Sequence, residues 1–232
     1  MVKKRKQEIV DSRVKSGALL VKALTENSNK VKAVISASGI GWYGDDLKKA
    51  RGKHAFTEDD PAGTEFLGET CRVWEASVDP IQDVLGKRLV KFRIGVALSK
   101  EGGALKEFCK PVRFGVAAIL GNGKQVISWI HMDDLARLFL YAIEHEQVQG
   151  VYNAVASQPV TNKNFTLLLA EKIKGRFNIP FYVPSFVLKI VVGGLSIELL
   201  KSATVSNNKI GQAGFQFLYP TIEAALSDLT KE

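Results

Sequence analysis

The chain has 232 residues with an apolar content of 46%, enough to bury the core of one large domain or two small ones. Cys71 and Cys109, its two cysteines, are far apart and in no C-x-x-C pattern, which argues against a disulfide framework or a zinc site and for a reducing compartment; three scattered histidines add no metal constellation. The net charge of +8 is concentrated in Lys3-Lys4-Arg5-Lys6, Arg13 and Lys15, but Glu8 and Asp11 interrupt it and no aromatics interleave, so a solvated helix face accounts for it better than a nucleic-acid surface.

Residues 4–25 show helical spacing, with Ile9, Val14, Leu19, Leu20, Ala23 and Leu24 on one side, and Asn27-Ser28-Asn29 ends the helix. Val31–Ser36 reads as a short strand, apolar on both faces. A polar loop with Gly44, Asp45, Asp46 and Gly52 follows, then an extended segment, Thr57–Pro61, ending in a turn. A helix is expected over 65–85, one strand over 88–98, and a helix from Gly102-Gly103 through Phe108. Residues 113–124 read as a glycine-punctuated loop, and Val126–Ile130 as a short extended run. Met132–Glu144 is a strongly amphipathic helix begun by Asp133-Asp134, and Gly150–Val155 is another strand.

Strands alternating with helices predict an α/β fold with a doubly wound parallel sheet. Beyond residue 160 the pattern is helical only, at about 161–174, 184–203 and 220–230. Residues 1–160 are therefore expected to form the α/β domain and 161–232 a small, mainly helical lobe on the substrate side. No leader pattern opens the chain. The most apolar stretch, Phe186–Ile197, is short of the roughly 20 residues of a membrane span and broken by Lys189 and Gly193-Gly194. No membrane association and a cytoplasmic location are expected.

After the first strand, Ser36-Ala-Ser-Gly-Ile-Gly-Trp-Tyr-Gly44 contains a literal G-x-G-x-x-G at Gly39, Gly41 and Gly44. A dinucleotide phosphate loop needs room for the pyrophosphate, a helix starting at the loop and an acid about 20 residues on. Here Trp42 and Tyr43 fill the turn, Asp45–His54 makes a poor core-facing helix, and Glu58-Asp59-Asp60 precedes Pro61 instead of ending a strand. The glycines are expected to shape a turn. Gly121–Gln125 also fails as a Walker A loop, in spacing and in lacking a Ser or Thr after Lys124.

Strand, S-x-S and then Tyr-Gly resembles the middle of the extended short-chain dehydrogenases/reductases. Asp11–Gly17 resembles the helix entering that family's fifth strand, Phe92–Leu98 its sixth strand, and Ser128–Leu135 its I-H-x-x-D-L signature. KQEIVDSRV, SASGIGWYG, FLGETCRVWE, GGALKEF, SWIHMDDL and AGFQFLYPTIEAAL together resemble an atypical branch: bacterial epimerase family proteins with a C-terminal domain of unknown function, sometimes labelled cell-division-inhibitor-like. The resemblance implies a Rossmann-like domain and NADP, or NAD, as cofactor. It implies hydride transfer at a sugar-type carbon of a small-molecule substrate of the nucleotide-sugar kind; a homodimer is a separate expectation. It also implies that the first strand, the true phosphate loop and the ribose-binding acid, about 70–80 residues in all on the usual size of βαβ units, lie upstream of Met1. The chain is then N-terminally truncated, inactive by itself and unable to hold NADPH tightly.

By the same resemblance, Ser38 positions a substrate carbonyl and Tyr43 relays a proton, the other readings being a strand-end serine bonded to backbone and a tyrosine packed under its loop. Ser36 is cofactor-binding, and Gly95 and Val96 lie where backbone meets the nicotinamide, the other reading being an ordinary buried strand. Trp42 forms a pocket wall. Arg93 faces a substrate phosphate or makes an ion pair on its strand. His131 is an acid/base or a fixer of loop geometry. The family's Tyr-x-x-x-Lys pair is expected near 66–70, where this chain has Phe66 and Thr70. That departure favours a rival reading, a non-catalytic remnant or partner-binding protein that keeps the fold.

Overall fold

Residues 3–46, 54–175, 178–192 and 200–231 are described by a computed structural model. The long first helix, α1 (Lys3–Glu26), ends where the Asn27 and Asn29 amides cap the carbonyls of Ala23 and Leu24. It leads into β1 (Ala33–Gly39), a 3₁₀ turn (Ile40–Trp42) and, after a loop, α2 (Phe66–Ala76). The helix expected over 65–85 divides here, because a turn at Ser77–Asp79 leads to a short α3 (Pro80–Asp83) that starts on a proline.

β2 (Arg88–Ile94) lies parallel between β1 and β7 (Gly150–Ala154), with Ala33 opposite Arg88 and Val90 opposite Gly150. Alternate residues of β2 serve opposite faces. Leu89 packs with Val78 and Ile81 and against Val21 and Leu24, under α1 and α3. Val90 and Phe92 pack with Leu135 and Leu138 of α5 (Met132–Glu144). Helices on both faces explain why β2 is apolar on both. α5 spans the residues expected of it: His131 Nδ1 accepts the Asp133 N–H at 3.1 Å, and Asp133 and Asp134 sit in its first turn against the helix dipole.

The strand expected over 88–98 breaks at Gly95, and its continuation, β3 (Val96–Leu98), leaves β2 to pair with β6 (Trp129–His131). Gly95 makes that departure sterically feasible, since a Cβ there would stand 2.6 Å from the Ser128 carbonyl oxygen and 2.8 Å from Val155. A second core gathers Leu98, Leu105, Trp129, Phe165, Leu169 and Leu226 between α4 (Gly103–Arg113), α6 (Asn162–Lys174) and α9 (Ile222–Leu229).

Two expectations fail in this second half. The glycine-punctuated loop contains β4 (Val116–Leu120), and the helical tail contains β8 (Val160–Thr161) and β9 (Ile179–Val183). β4 pairs parallel with β9, and β5 (Val126–Ile127) antiparallel with β8. Glycines at 115, 121 and 123, all with positive φ, bracket β4 and disguise it as a loop, while Pro180 disguises β9. Of the helix expected over 184–203, α7 (Ser185–Val192) is present, 193–199 lie outside the described residues, and Leu200–Ala203 is not helical. A short α8 (Asn208–Gln212) precedes α9. Among the described residues no helix is long and apolar enough to cross a membrane.

Candidate active site

In this parallel sheet the chemistry-bearing side chains of the sequence reading gather where β1 and β2 end. β1 does not run from its glycines into a helix: Gly39 leads into the 3₁₀ turn, and the Tyr43 N–H closes it on the Ile40 carbonyl at 3.0 Å. The turn drops Tyr43 into the interior, stacked on Phe56 with ring centroids 4.9 Å apart. The glycines thus shape a turn, as expected; the expected helix-poor stretch falls partly on 47–53, outside the described residues.

Ser38, Tyr43 and Arg93 belong to one buried polar network. The Arg93 guanidinium grips the Glu75 carboxylate with both prongs, Nε to Oε1 at 2.9 Å and Nη2 to Oε2 at 3.1 Å, and both residues are under 5% exposed. The Ser38 hydroxyl donates to the same Oε1 at 2.7 Å. Arg93 Nη1 donates to the Tyr43 oxygen at 3.1 Å, and the Tyr43 hydroxyl donates to Asn153 Oδ1 at 2.7 Å. Asn153 in turn donates to the Ser206 carbonyl, and its own N–H meets Glu58 Oε1. Trp42 lies flat against Arg93, its ring centroid 3.6 Å from the guanidinium carbon, and its indole N–H donates to the Asp60 carbonyl. Burial pushes the Tyr43 phenol up to about 12, outweighing the pull of Arg93. The phenol therefore stays protonated through neutral pH.

The concave feature beside this network is a cavity of about 260 Å³. The sheet edge supplies Ile40, Gly41, Leu67 and Val96. Ala104 and Phe108 of α4, Val126, Ile127 and Ser128, Asn162 at the start of α6, and Lys201 with Ala203 close it. Neither Ser38 nor Tyr43 is among its lining residues, nor are Ser36, Trp42, Arg93 or Gly95; of the sequence-predicted site residues Val96 alone reaches it. Ser36 sits midway along β1, its hydroxyl 3.3 Å from the Ala37 carbonyl.

The polar lining groups are mostly committed. The Ser128 hydroxyl donates to the Ala203 carbonyl and accepts from Val205, and Asn162 Oδ1 accepts the Leu120 N–H. Lys201 is the ionisable group of the described wall: its side chain is 10% exposed, and its ammonium faces Glu65 Oε2 at 3.5 Å, with the Glu65 side chain 42% exposed.

Phe66 and Thr70, where the family's acid/base pair is expected, are engaged elsewhere. Phe66 lies under the Lys6 ammonium, 4.7 Å from the ring centroid, and the Thr70 hydroxyl is spent on the Phe66 carbonyl at 2.6 Å. The positions facing the end of β1 are Leu67 and Cys71, one helical turn apart: a Cβ on Gly41 would meet the Leu67 Cβ at 3.2 Å and Cys71 Sγ at 3.6 Å. Neither is a phenol or an amine. Burial, then the Glu75 charge, holds the Cys71 thiol above its usual range, while bonds from Gly39 and Ser38 pull the other way.

His131 is elsewhere, at the far end of the β3–β6 pair, buried and stacked on Tyr219 at 3.9 Å. Its Nε2 is 3.4 Å from Asp228 Oδ2. His131, Asp133 and Asp228 bring donor atoms within 4.8 Å of one another, a grouping hidden in the sequence by the distance to Asp228. Because Nδ1 accepts the Asp133 N–H, the proton of neutral His131 sits on Nε2, which leaves that nitrogen no lone pair for a cation.

A family model described as the NAD dependent epimerase/dehydratase family matches residues 104–154, and one for a domain of unknown function, DUF1731, matches residues 183–229. Epimerase family protein ML0860 of Mycobacterium leprae is 35% identical over 226 residues, 97% of this chain and 70% of that protein. The crystal structure of human epimerase family protein SDR39U1 (isoform 2) with NADPH superposes with a TM-score of 0.90 at 31% identity, over 99% of this chain and 76% of the human one. A nucleoside-diphosphate sugar epimerase from Corynebacterium glutamicum gives a TM-score of 0.77 at 31% identity, over 99% of this chain and 44% of that one. The chain therefore belongs to the epimerase family, an atypical branch of the extended short-chain dehydrogenases/reductases with a Rossmann-like α/β fold and a DUF1731 domain.

Proposed function

We propose that this chain supplies the nicotinamide end and the substrate cavity of an NAD(P)-dependent oxidoreductase or epimerase, with NADPH the favoured cofactor. The observation that carries this reading is the apolar cavity at the carboxyl ends of parallel strands, where ligands bind in such sheets. The likeness to a structure bearing NADPH supports the choice of cofactor. Ile40, Leu67 and Val96 fit an aromatic ring face and would keep water from it. When bound, the nicotinamide supplies the hydride that turns a carbonyl into an alcohol, or takes it back in the reverse direction.

The chain's own contribution is largely positional. The Arg93–Glu75 pair holds the end of β2 to α2, and Ser38 and Tyr43 tie the end of β1 and its turn into the same pair. This fixes the wall at Ile40 and Gly41. Ser38 and Tyr43 are thus positioning residues in this proposal, with their oxygens already bonded, and His131 caps α5. A nucleotide sugar as substrate follows from the family resemblance, and a homodimer and a cytoplasmic location complete the proposal; sedimentation velocity tests the dimer. The non-catalytic reading is favoured by one observation, the Leu67/Cys71 face without phenol or amine.

Saturation-transfer NMR with NADPH tests the cofactor assignment. Transfer is expected to be strongest to the nicotinamide protons, and to be lost in Val96→Trp. Transfer only to the adenine protons, or none, would contradict it.

A further inference from the structure

Given the reading of this cavity as the substrate site, the reaction decides which part of a nucleotide sugar it encloses. Hydride passes directly between the nicotinamide and a carbon of the sugar, so the sugar must lie against the nicotinamide. At about 260 Å³ the cavity is smaller than the roughly 300–1,000 Å³ of pockets that enclose drug-sized ligands, so it takes the sugar and leaves the nucleotide outside. Phe108, Val126 and Ile127 suit the C–H faces of a sugar ring. Its hydroxyls, once out of water, need polar partners in the same wall.

Asn162 supplies one. It is the first residue of α6, lines the cavity and is 1% exposed. It is held from two sides: its backbone N–H goes to the Gln125 carbonyl at 2.9 Å, and its side-chain Oδ1 accepts the Leu120 N–H at 2.8 Å. A backbone N–H can be met only by the amide oxygen, so the amide nitrogen is the prong left for the cavity. Among the described residues Nδ2 has no hydrogen-bond partner, and unlike His131 Nε2 it is not sealed in. The Ser128 hydroxyl of the same wall has its proton on the Ala203 carbonyl. A fixed, uncharged donor in an apolar wall tells a hydroxyl from a hydrogen, because a ligand without the oxygen leaves the donor unmet. We infer that Asn162 Nδ2 donates to one hydroxyl oxygen of the sugar, which makes Asn162 the residue that sets the sugar ring against the nicotinamide.

Isothermal titration with UDP-glucose, its 2-, 3-, 4- and 6-deoxy analogues and UDP tests this, in the parent chain and in Asn162→Asp. Aspartate still accepts the Leu120 N–H and suits the first turn of a helix, so the melting temperature should hold while the donor is gone. In the parent, one deoxy analogue should bind at least about tenfold more weakly than UDP-glucose. In Asn162→Asp, UDP-glucose should weaken by a similar factor, and that analogue should differ from it less than about twofold, as a pairwise contact requires. The deoxy series in the parent keeps the test open if Asn162→Asp does not fold. Equal binding of all analogues, a deoxy penalty undiminished in Asn162→Asp, UDP weakened as much as UDP-glucose, or no UDP-glucose binding would overturn the inference. Any of these alongside NADPH contacts at the nicotinamide would remove this inference alone; the expected losses without such contacts would remove the cofactor assignment alone.

Discussion

Two neighbouring regions at the strand ends differ in kind. The Ser38–Glu75–Arg93–Tyr43–Asn153 network holds Ser38 and Tyr43, the two residues read from the sequence as catalytic, and every member is buried and bonded to another. The cavity beside it is built from residues that look ordinary, with Lys201 its ionisable group among those described. Reactive residue types therefore mark the frame of this site, and the space for chemistry lies next to them. A hydroxyl whose proton is committed to a buried partner holds backbone in place; it does not wait for substrate.

The sharpest way to break this division is Arg93→Ala. It leaves Glu75 as an unpaired buried charge and Trp42 without its stacking partner. The loss should be about 3–5 kcal/mol, read as a fall in melting temperature of roughly 10 °C or more for a domain of this size. A fall of only a degree or two would show that the network is not a frame. Gly95→Ala should cost less, about 1–3 kcal/mol, by pressing a methyl on the Ser128 carbonyl and Val155. Denaturant melts would check it, and a neutral result would mean that β3 can part from β2 without that close approach. Tyr43→Phe should cost about 1–3 kcal/mol by leaving Asn153 Oδ1 and an Arg93 N–H unmet in the interior.

Alkaline pH sharpens the same point. The Tyr43 pKa is raised by burial from 10.0 to about 12 in the folded chain. The contribution is intact below pH 10, where both states keep the proton, and falls as pH rises from 10 towards 12, where only the unfolded state ionises. The slope is about 1.4 kcal/mol per pH unit. Tyr43→Phe should lack this term, so the difference in stability between the two proteins should shrink across that window. A constant difference would place the phenol in solvent.

Much of the first half was legible in the sequence. Met132–Glu144 was read to the residue because its apolar spacing and first-turn acids agree. The first strand was legible but expected over Val31–Ser36, whereas β1 runs Ala33–Gly39 and so carries Ser38; the turn in place of a phosphate loop was legible from Trp42 and Tyr43, too bulky for a pyrophosphate. β4 and β9 were not, because glycines and Pro180 are local signs of loops and the pairing that overrides them joins segments far apart in the chain. Arg93 left two readings open, and the ion pair is the one seen; its partner Glu75 lies on another element. The cavity was illegible for the same reason. Leu67, Phe108 and Lys201 carry no motif, and only the fold brings them together.

The central claim, that recognition belongs to the cavity and the network only frames it, is tested most directly by titrating NADPH into Tyr43→Phe and Val96→Trp side by side under conditions where both are folded. The account predicts affinity within about twofold of the parent chain for Tyr43→Phe and a loss of at least tenfold, about 1.4 kcal/mol, for Val96→Trp. A tenfold loss in Tyr43→Phe with Val96→Trp unchanged would contradict it.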